Sequence, residues 1–155
     1  MMHDLIQKSN EDSRGTTSAH SFHYYTVTFE PPNSGKGGLG TYVQQSILQA
    51  ELVGATTTVI CIDSSLNPGA VTERSLAGGS KIISLNPERD EHFKYLGKWP
   101  AISFSCAEFI VRLLTQTEVA PKFIEVCDGF GLAYYLIQRK LVGEKALQNI
   151  PIDLT

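Results

Sequence analysis

The chain has 155 residues, 42% of them hydrophobic, which suits one domain with a packed core and excludes global disorder. Its formal net charge of -3 argues against a dedicated nucleic-acid binder, which carries a basic excess, while leaving room for a local phosphate pocket. Cys61, Cys106 and Cys127 form no CxxC pair, so neither a zinc site nor a disulfide framework is indicated.

The cysteines read as small buried thiols in a reducing compartment. No apolar run approaches the roughly 20 residues of a membrane helix. Residues 1–21 lack the apolar stretch of a secretory signal. The expected location is the cytoplasm.

In chain order, residues 1–21 are polar and without period, a disordered tail ahead of a domain over 22–155. Residues 23–30 (HYYTVTFE) are aromatic and β-branched and predict a strand that Pro31-Pro32 stops. The glycine-rich stretch Asn33-Ser34-Gly35-Lys36-Gly37-Gly38-Leu39-Gly40 follows. Helical spacing over 41–53 puts Val43, Ile47 and Ala50 on one side, with Leu48 and Leu52 added to it, and Gly54 as the stop.

Residues 56–63 (TTTVICID) form a near-continuous apolar run that suits a strand buried on both faces. Residues 64–79 read as a loose connection and 81–85 (KIISL) as a third strand. Residues 86–100 read as charged loop with a short helix near 91–95. A helix over 101–117 follows, with Ile102, Cys106, Phe109, Ile110 and Leu113 on one face. Residues 122–128 (KFIEVCD) predict a fourth strand, Gly129-Phe130-Gly131 a turn, 132–142 a helix and 151–155 a fifth strand.

Alternating strands and helices imply an α/β, Rossmann-like, three-layer fold with a mostly parallel sheet and right-handed crossovers. Such sheets bind ligands beyond the carboxyl ends of their strands, near the reversal of strand order. That rule singles out the glycine-rich loop and the turn after the fourth strand. Glycine lets a ligand approach the backbone, and the next helix presents unpaired N–H groups. Together they suit a phosphate, although a packing turn has the same composition.

The loop is not a Walker motif, because Thr41 stands where a lysine would follow Gly40. Gly35, Gly37 and Gly40, with Asp63 about 20 residues on, fit a dinucleotide fingerprint loosely. That keeps a nucleotide-binding ATPase or oxidoreductase among the alternatives. His23 reads as structural and His92 as solvated. Trp99, with Tyr95 and Pro100, reads as packing under a loop, with a sugar platform as the alternative. Arg139 and Lys140 read as partners of the negative end of a helix.

Two segments carry a resemblance. Gly37-Gly38-Leu39-Gly40-Thr41-Tyr42-Val43, then a helix, Gly54 and a TVI strand, resembles the opening of family-four glycosyltransferases of the glycogen-synthase type. Residues 123–141 (FIEVCDGFGLAYYLIQRKL) resemble that family's fourth strand and following helix, and 150–155 its next strand. The resemblance covers 23–155. It implies the acceptor-side, N-terminal lobe of a two-lobed GT-B enzyme that moves a hexose from a nucleotide-sugar to an acceptor hydroxyl with retention.

By this resemblance Gly37, Gly38, Leu39 and Gly40 would meet the donor diphosphate. Glu125 and Asp128 would take acceptor hydroxyls, which carboxylates accept well. The partners implied are a carbohydrate acceptor, a nucleotide-sugar as co-substrate with no other cofactor, and a separate C-terminal lobe or self-association. Two departures stand out. Cys127 occupies the place of a histidine that approaches the transferred sugar, and Lys36 is offset from the family's loop lysine. The acidic donor residues of a second lobe have no counterpart in the sequence. The expectation is therefore a truncated product, a domain fragment or half of a split enzyme, inactive alone. A non-catalytic binding or assembly module of the same fold is the alternative.

Overall fold

The computed structural model describes residues 22–32, 37–88, 90–127 and 129–155. The expected tail over 1–21 lies outside them, as do Gly35, Lys36 and Asp128.

Six strands form one sheet in the order β3-β4-β2-β1-β5-β6. They are β1 (His23–Thr28), β2 (Thr56–Ile62), β3 (Val71–Ser75), β4 (Lys81–Leu85), β5 (Ile124–Val126) and β6 (Ile152–Leu154). The helices are α1 (Gly38–Leu52), α2 (Asp90–Leu96), α3 (Lys98–Gln116) and α4 (Tyr134–Leu141). All pairings are parallel except β3 with β4. The mostly parallel, Rossmann-like α/β fold is as the sequence implies.

Strand alternation sends two sets of side chains to opposite faces. On the front, Val43 and Ile47 of α1 pack on Val59, Cys61, Ile82 and Cys127. On the back, Ile102, Cys106 and Ile110 of α3 and Leu136 of α4 pack on Tyr25, Val27, Ile60, Ile124 and Val126. The chain leaves β1 through α1 toward β2, and later returns through α3 to β5 on the other side of β1. Right-handed crossovers in opposite directions must use opposite faces, which accounts for α1 in front and α2, α3 and α4 behind.

Local chemistry sets the helix ends. Gly54, at φ 70, closes α1. The Ala55 N–H donates to Ala50 O at 2.8 Å and the Gly54 N–H to Glu51 O at 3.2 Å, a pairing that satisfies the last carbonyls. The sequence reading misses β3, because its residues VTERS are exposed throughout and only pairing with β4 makes them a strand. The reading also adds Leu48 and Leu52 to the core face. Both are exposed, while Val43, Ile47 and Ala50 are buried.

All three cysteines are buried free thiols. Burial pushes Cys61 and Cys106 up to about 12, so they are protonated and unreactive at neutral pH.

His23 ties β1 to β2 through both ring nitrogens, to Thr56 Oγ1 at 2.8 Å and Thr58 Oγ1 at 3.0 Å. Burial, and then nearby Lys81, lowers its pKa below the ordinary 6.5. The folded state therefore favours the neutral ring, and the unfolded chain takes a proton first as pH falls. Stability is expected to be full above pH 6.5 and to decline as pH drops through and below it. Urea unfolding at several pH values checks this, and His23→Gln should flatten that segment of the curve.

Candidate functional site at the carboxyl rim

Strand order reverses at β1, so the loops after β1 and β5 meet at one rim. A Cβ on Gly129 would lie 3.6 Å from the Phe29 ring, which shows how closely the two loops approach. Gly37, Gly38, Leu39 and Gly40 stand at this rim as the cap and first turn of α1.

The turn already holds an anionic group of the chain itself. The Gly40 N–H donates to Glu30 Oε2 at 2.9 Å. A Cβ at Gly37 would overlap the Glu30 carboxylate, so a larger residue there would push that side chain off the turn, while the φ of -170 is open to any residue. Glu30 is the carboxylate that a positive helix end attracts. The sequence reading leaves it as the end of a strand, whereas β1 stops at Thr28.

A double-mutant cycle tests the contact. Gly37→Ala is expected to cost about 1 kcal/mol, the worth of one hydrogen bond to a charged group or slightly less. The cost should largely vanish when Glu30 is already alanine. Additive losses in urea unfolding would mean that the two residues act separately.

Across the rim lies an aromatic cluster. Trp99, in the first turn of α3, stacks on Phe130 at 4.1 Å between centroids and 5° between planes. Phe29 meets both rings edge-on, at 5.7 Å and 5.9 Å. Lys98 Nζ sits 5.2 Å over the Trp99 ring. Phe130 is 68% exposed, Trp99 37%. Phe130 also adopts φ 56, the one positive φ among the described non-glycine residues. A bulky side chain in that region is strained, and such strain gathers at functional sites. Phe29, Lys98 and Trp99 line a small cleft of about 110 Å³ with Ser64 and Glu88. An aromatic face beside hydroxyl, amino and carboxylate groups suits a ring that is apolar on its face and polar at its edge.

The sequence reading missed Phe29 and Phe130 as site residues and leaned toward packing for Trp99. The turn glycines around an exposed Phe130 were the available signal. Tyr95 is exposed and takes no part in the stack, and Pro100 lies in the first turn of α3, where proline is tolerated.

Glu125 lies within β5 and is 8% exposed. Its carboxylate accepts hydrogen bonds from the Tyr42 hydroxyl and from Thr26 Oγ1, the latter at 3.3 Å. It thus joins α1 to the sheet, and the contact raises the Tyr42 pKa. Its proposed partner Asp128 falls between described residues Cys127 and Gly129 and outside them. Cys127 is fully buried on the front face. His92 is not simply solvated, since Nδ1 meets Ser105 Oγ at 3.0 Å and the ring lies edge-on to Phe104. Arg139 pairs with Glu108 at 3.4 Å and Glu144 at 4.0 Å, while Lys140 donates to Ile150 O.

No protein-family model matches the sequence, and no curated protein matches it. Solved structures do share the fold. The catalytic domain of starch synthase IV from Arabidopsis thaliana, solved with ADP and acarbose, aligns over 86% of this chain at TM-score 0.60 and 16% identity. The α,α-trehalose 6-phosphate synthase of Burkholderia multivorans aligns over 87% at TM-score 0.50 and 15% identity. The alignment spans about a third of each of those chains, 33% in both cases. The likeness is one of fold, a Rossmann-like α/β domain with a mostly parallel sheet.

Proposed function

We propose that this domain is the acceptor-side unit of a glycosyltransferase of the glycogen-synthase-like, family-four type, working with a second α/β lobe that holds most of the nucleotide-sugar. The observation that carries the reading is the meeting, at one reversal of strand order, of the Gly37–Gly40 turn with the Phe29, Trp99 and Phe130 cluster. In this reading the turn faces the donor diphosphate and the aromatic cluster takes the acceptor sugar ring. The bond from the anomeric carbon to the diphosphate oxygen breaks, and the acceptor oxygen bonds to that carbon. The acceptor proton leaves to the diphosphate or to solvent.

For the diphosphate to reach the Gly40 amide, the Glu30 carboxylate must give up its bond there. Asp128 remains the proposed acceptor-hydroxyl partner. Glu125, engaged by Tyr42 and Thr26, is given the holding of α1 in this scheme instead of acceptor contact. The ADP and acarbose in the starch synthase structure support a site for a nucleotide and a sugar in that fold.

Trp99 is the single tryptophan, so its fluorescence reports on the rim directly. Titration with maltotriose, ADP-glucose and UDP-glucose should give a saturable change. ATP and NAD, which share only the diphosphate and adenosine, should give a weaker one. A response to ATP or NAD alone would replace the reading with the nucleotide-dependent alternatives, and no response to any saccharide would remove it.

A further inference from the structure

Helix α1 begins where helix is least favoured. Gly38 and Gly40 are poor helix formers, its cap Gly37 has no side chain to offer, and its first turn carries no acidic residue. The buried side chains that press α1 on the sheet, Val43, Ile47 and Ala50, all lie beyond that turn. The first N–H groups of a helix also lack partners within it. That of Gly40 goes to Glu30 at 2.9 Å, and among the described residues those of Gly38 and Leu39 have no acceptor.

A second carboxylate reaches the same end of the helix. Tyr42 follows Gly38 by four positions and Leu39 by three, so it stands one turn along from both. Its ring is exposed and adds little to the core, but its hydroxyl donates to Glu125 Oε1. Glu125 is buried and is the register partner of Thr26 on the neighbouring strand, whose Oγ1 donates to its Oε2 at 3.3 Å. The carboxylate is therefore fixed on β1 and β5, and through Tyr42 it fixes the start of α1. Among the described residues no lysine or arginine lies within 4.0 Å of it, so the link depends on an acceptor for the hydroxyl and not on an ion pair.

We infer that Tyr42 and Glu125 are positioning residues for the donor: their bond sets where the Gly38 and Leu39 N–H groups point, and so governs affinity for the diphosphate without touching it. The inference rests on the reading of the glycine turn as the diphosphate's place. Groups that grip a ligand must be held to within about 0.5 Å, and a turn of glycines does not supply that hold by itself. The aromatic cluster is built from Phe29, Trp99 and Phe130, none of which the link touches, so the saccharide end should not sense it.

Calorimetry with ADP-glucose and with maltotriose on the whole chain tests this. Tyr42→Phe, which removes a single hydroxyl, should weaken ADP-glucose binding about tenfold and leave maltotriose within about twofold of the parent. Glu125→Leu should do the same. Glu125→Gln keeps an acceptor for Tyr42 and should stay within about threefold of the parent for ADP-glucose. Tyr42→Phe combined with Glu125→Leu should bind no more weakly than either alone, as expected of two halves of one link. If Glu125→Leu folds poorly, Tyr42→Phe and Glu125→Gln carry the comparison. Unchanged ADP-glucose affinity in Tyr42→Phe would overturn the inference. So would an equal loss for both ligands, which marks general damage, or a loss for maltotriose alone, which would return Glu125 to the acceptor. A parent chain that binds maltotriose and not ADP-glucose would instead remove the reading of the turn, and the inference with it.

Discussion

Ile110→Ala should lower the stability of the domain by about 2–5 kcal/mol, whereas Leu52→Ala should change it by less than about 0.5 kcal/mol. Ile110 is 1% exposed and lies where α3 meets the back of the sheet. Removing three of its carbons forfeits their transfer from water and leaves a cavity that close-packed neighbours fill only in part. Leu52 is 77% exposed at the end of α1, so truncation there removes little buried area, and alanine is a good helix former. Urea unfolding of the two variants checks the contrast. Comparable losses would mean that the outer side of α1 is covered in solution.

Trp99→Ala and Phe130→Gly should each weaken saccharide binding at least tenfold, and their effects on stability should differ. Trp99 contacts both Phe29 and Phe130 at the mouth of α3. Its loss removes two aromatic contacts, each worth about 0.5–1.5 kcal/mol, along with the flat face offered to a sugar. Phe130→Gly removes the same stack but also relieves a positive φ, a strain on the order of 1 kcal/mol. The two terms offset each other, so this variant should stay within about 1 kcal/mol of the parent in unfolding while losing affinity. Calorimetry with maltotriose reads the affinity for both variants. Cluster residues that serve only to pack the loop would move stability and leave binding unchanged.

The parallel sheet and its helices were legible because their signals are local. TTTVICI of β2 is a continuous apolar, β-branched run, and the Val43, Ile47 and Ala50 spacing has one helical phase. What escaped rests on distant partners. β3 has no apolar side to show and exists through its pairing with β4. Helix α1 begins within glycines that disfavour helix, and its first turn includes an amide held by Glu30, ten residues earlier. The loop positions of the candidate site were visible from the rule that ligands sit beyond strand ends, since that needs only the order of elements. The aromatic cluster was not, because Trp99 and Phe130 are 31 positions apart and no period links them. Glu125 read as an acceptor carboxylate from its place in a motif. Its engagement by Tyr42, 83 residues away, appears only once α1 lies over the sheet.

The most direct test of the rim as the binding site is an amide chemical-shift titration of the labelled domain with ADP-glucose and maltotriose. Saturable shifts should concentrate at Gly37–Gly40 with the nucleotide-sugar, and at Trp99 and Gly129–Leu132 with the saccharide. Saturating ligand that leaves both groups of amides unmoved, or shifts confined to other faces of the sheet, would contradict the account.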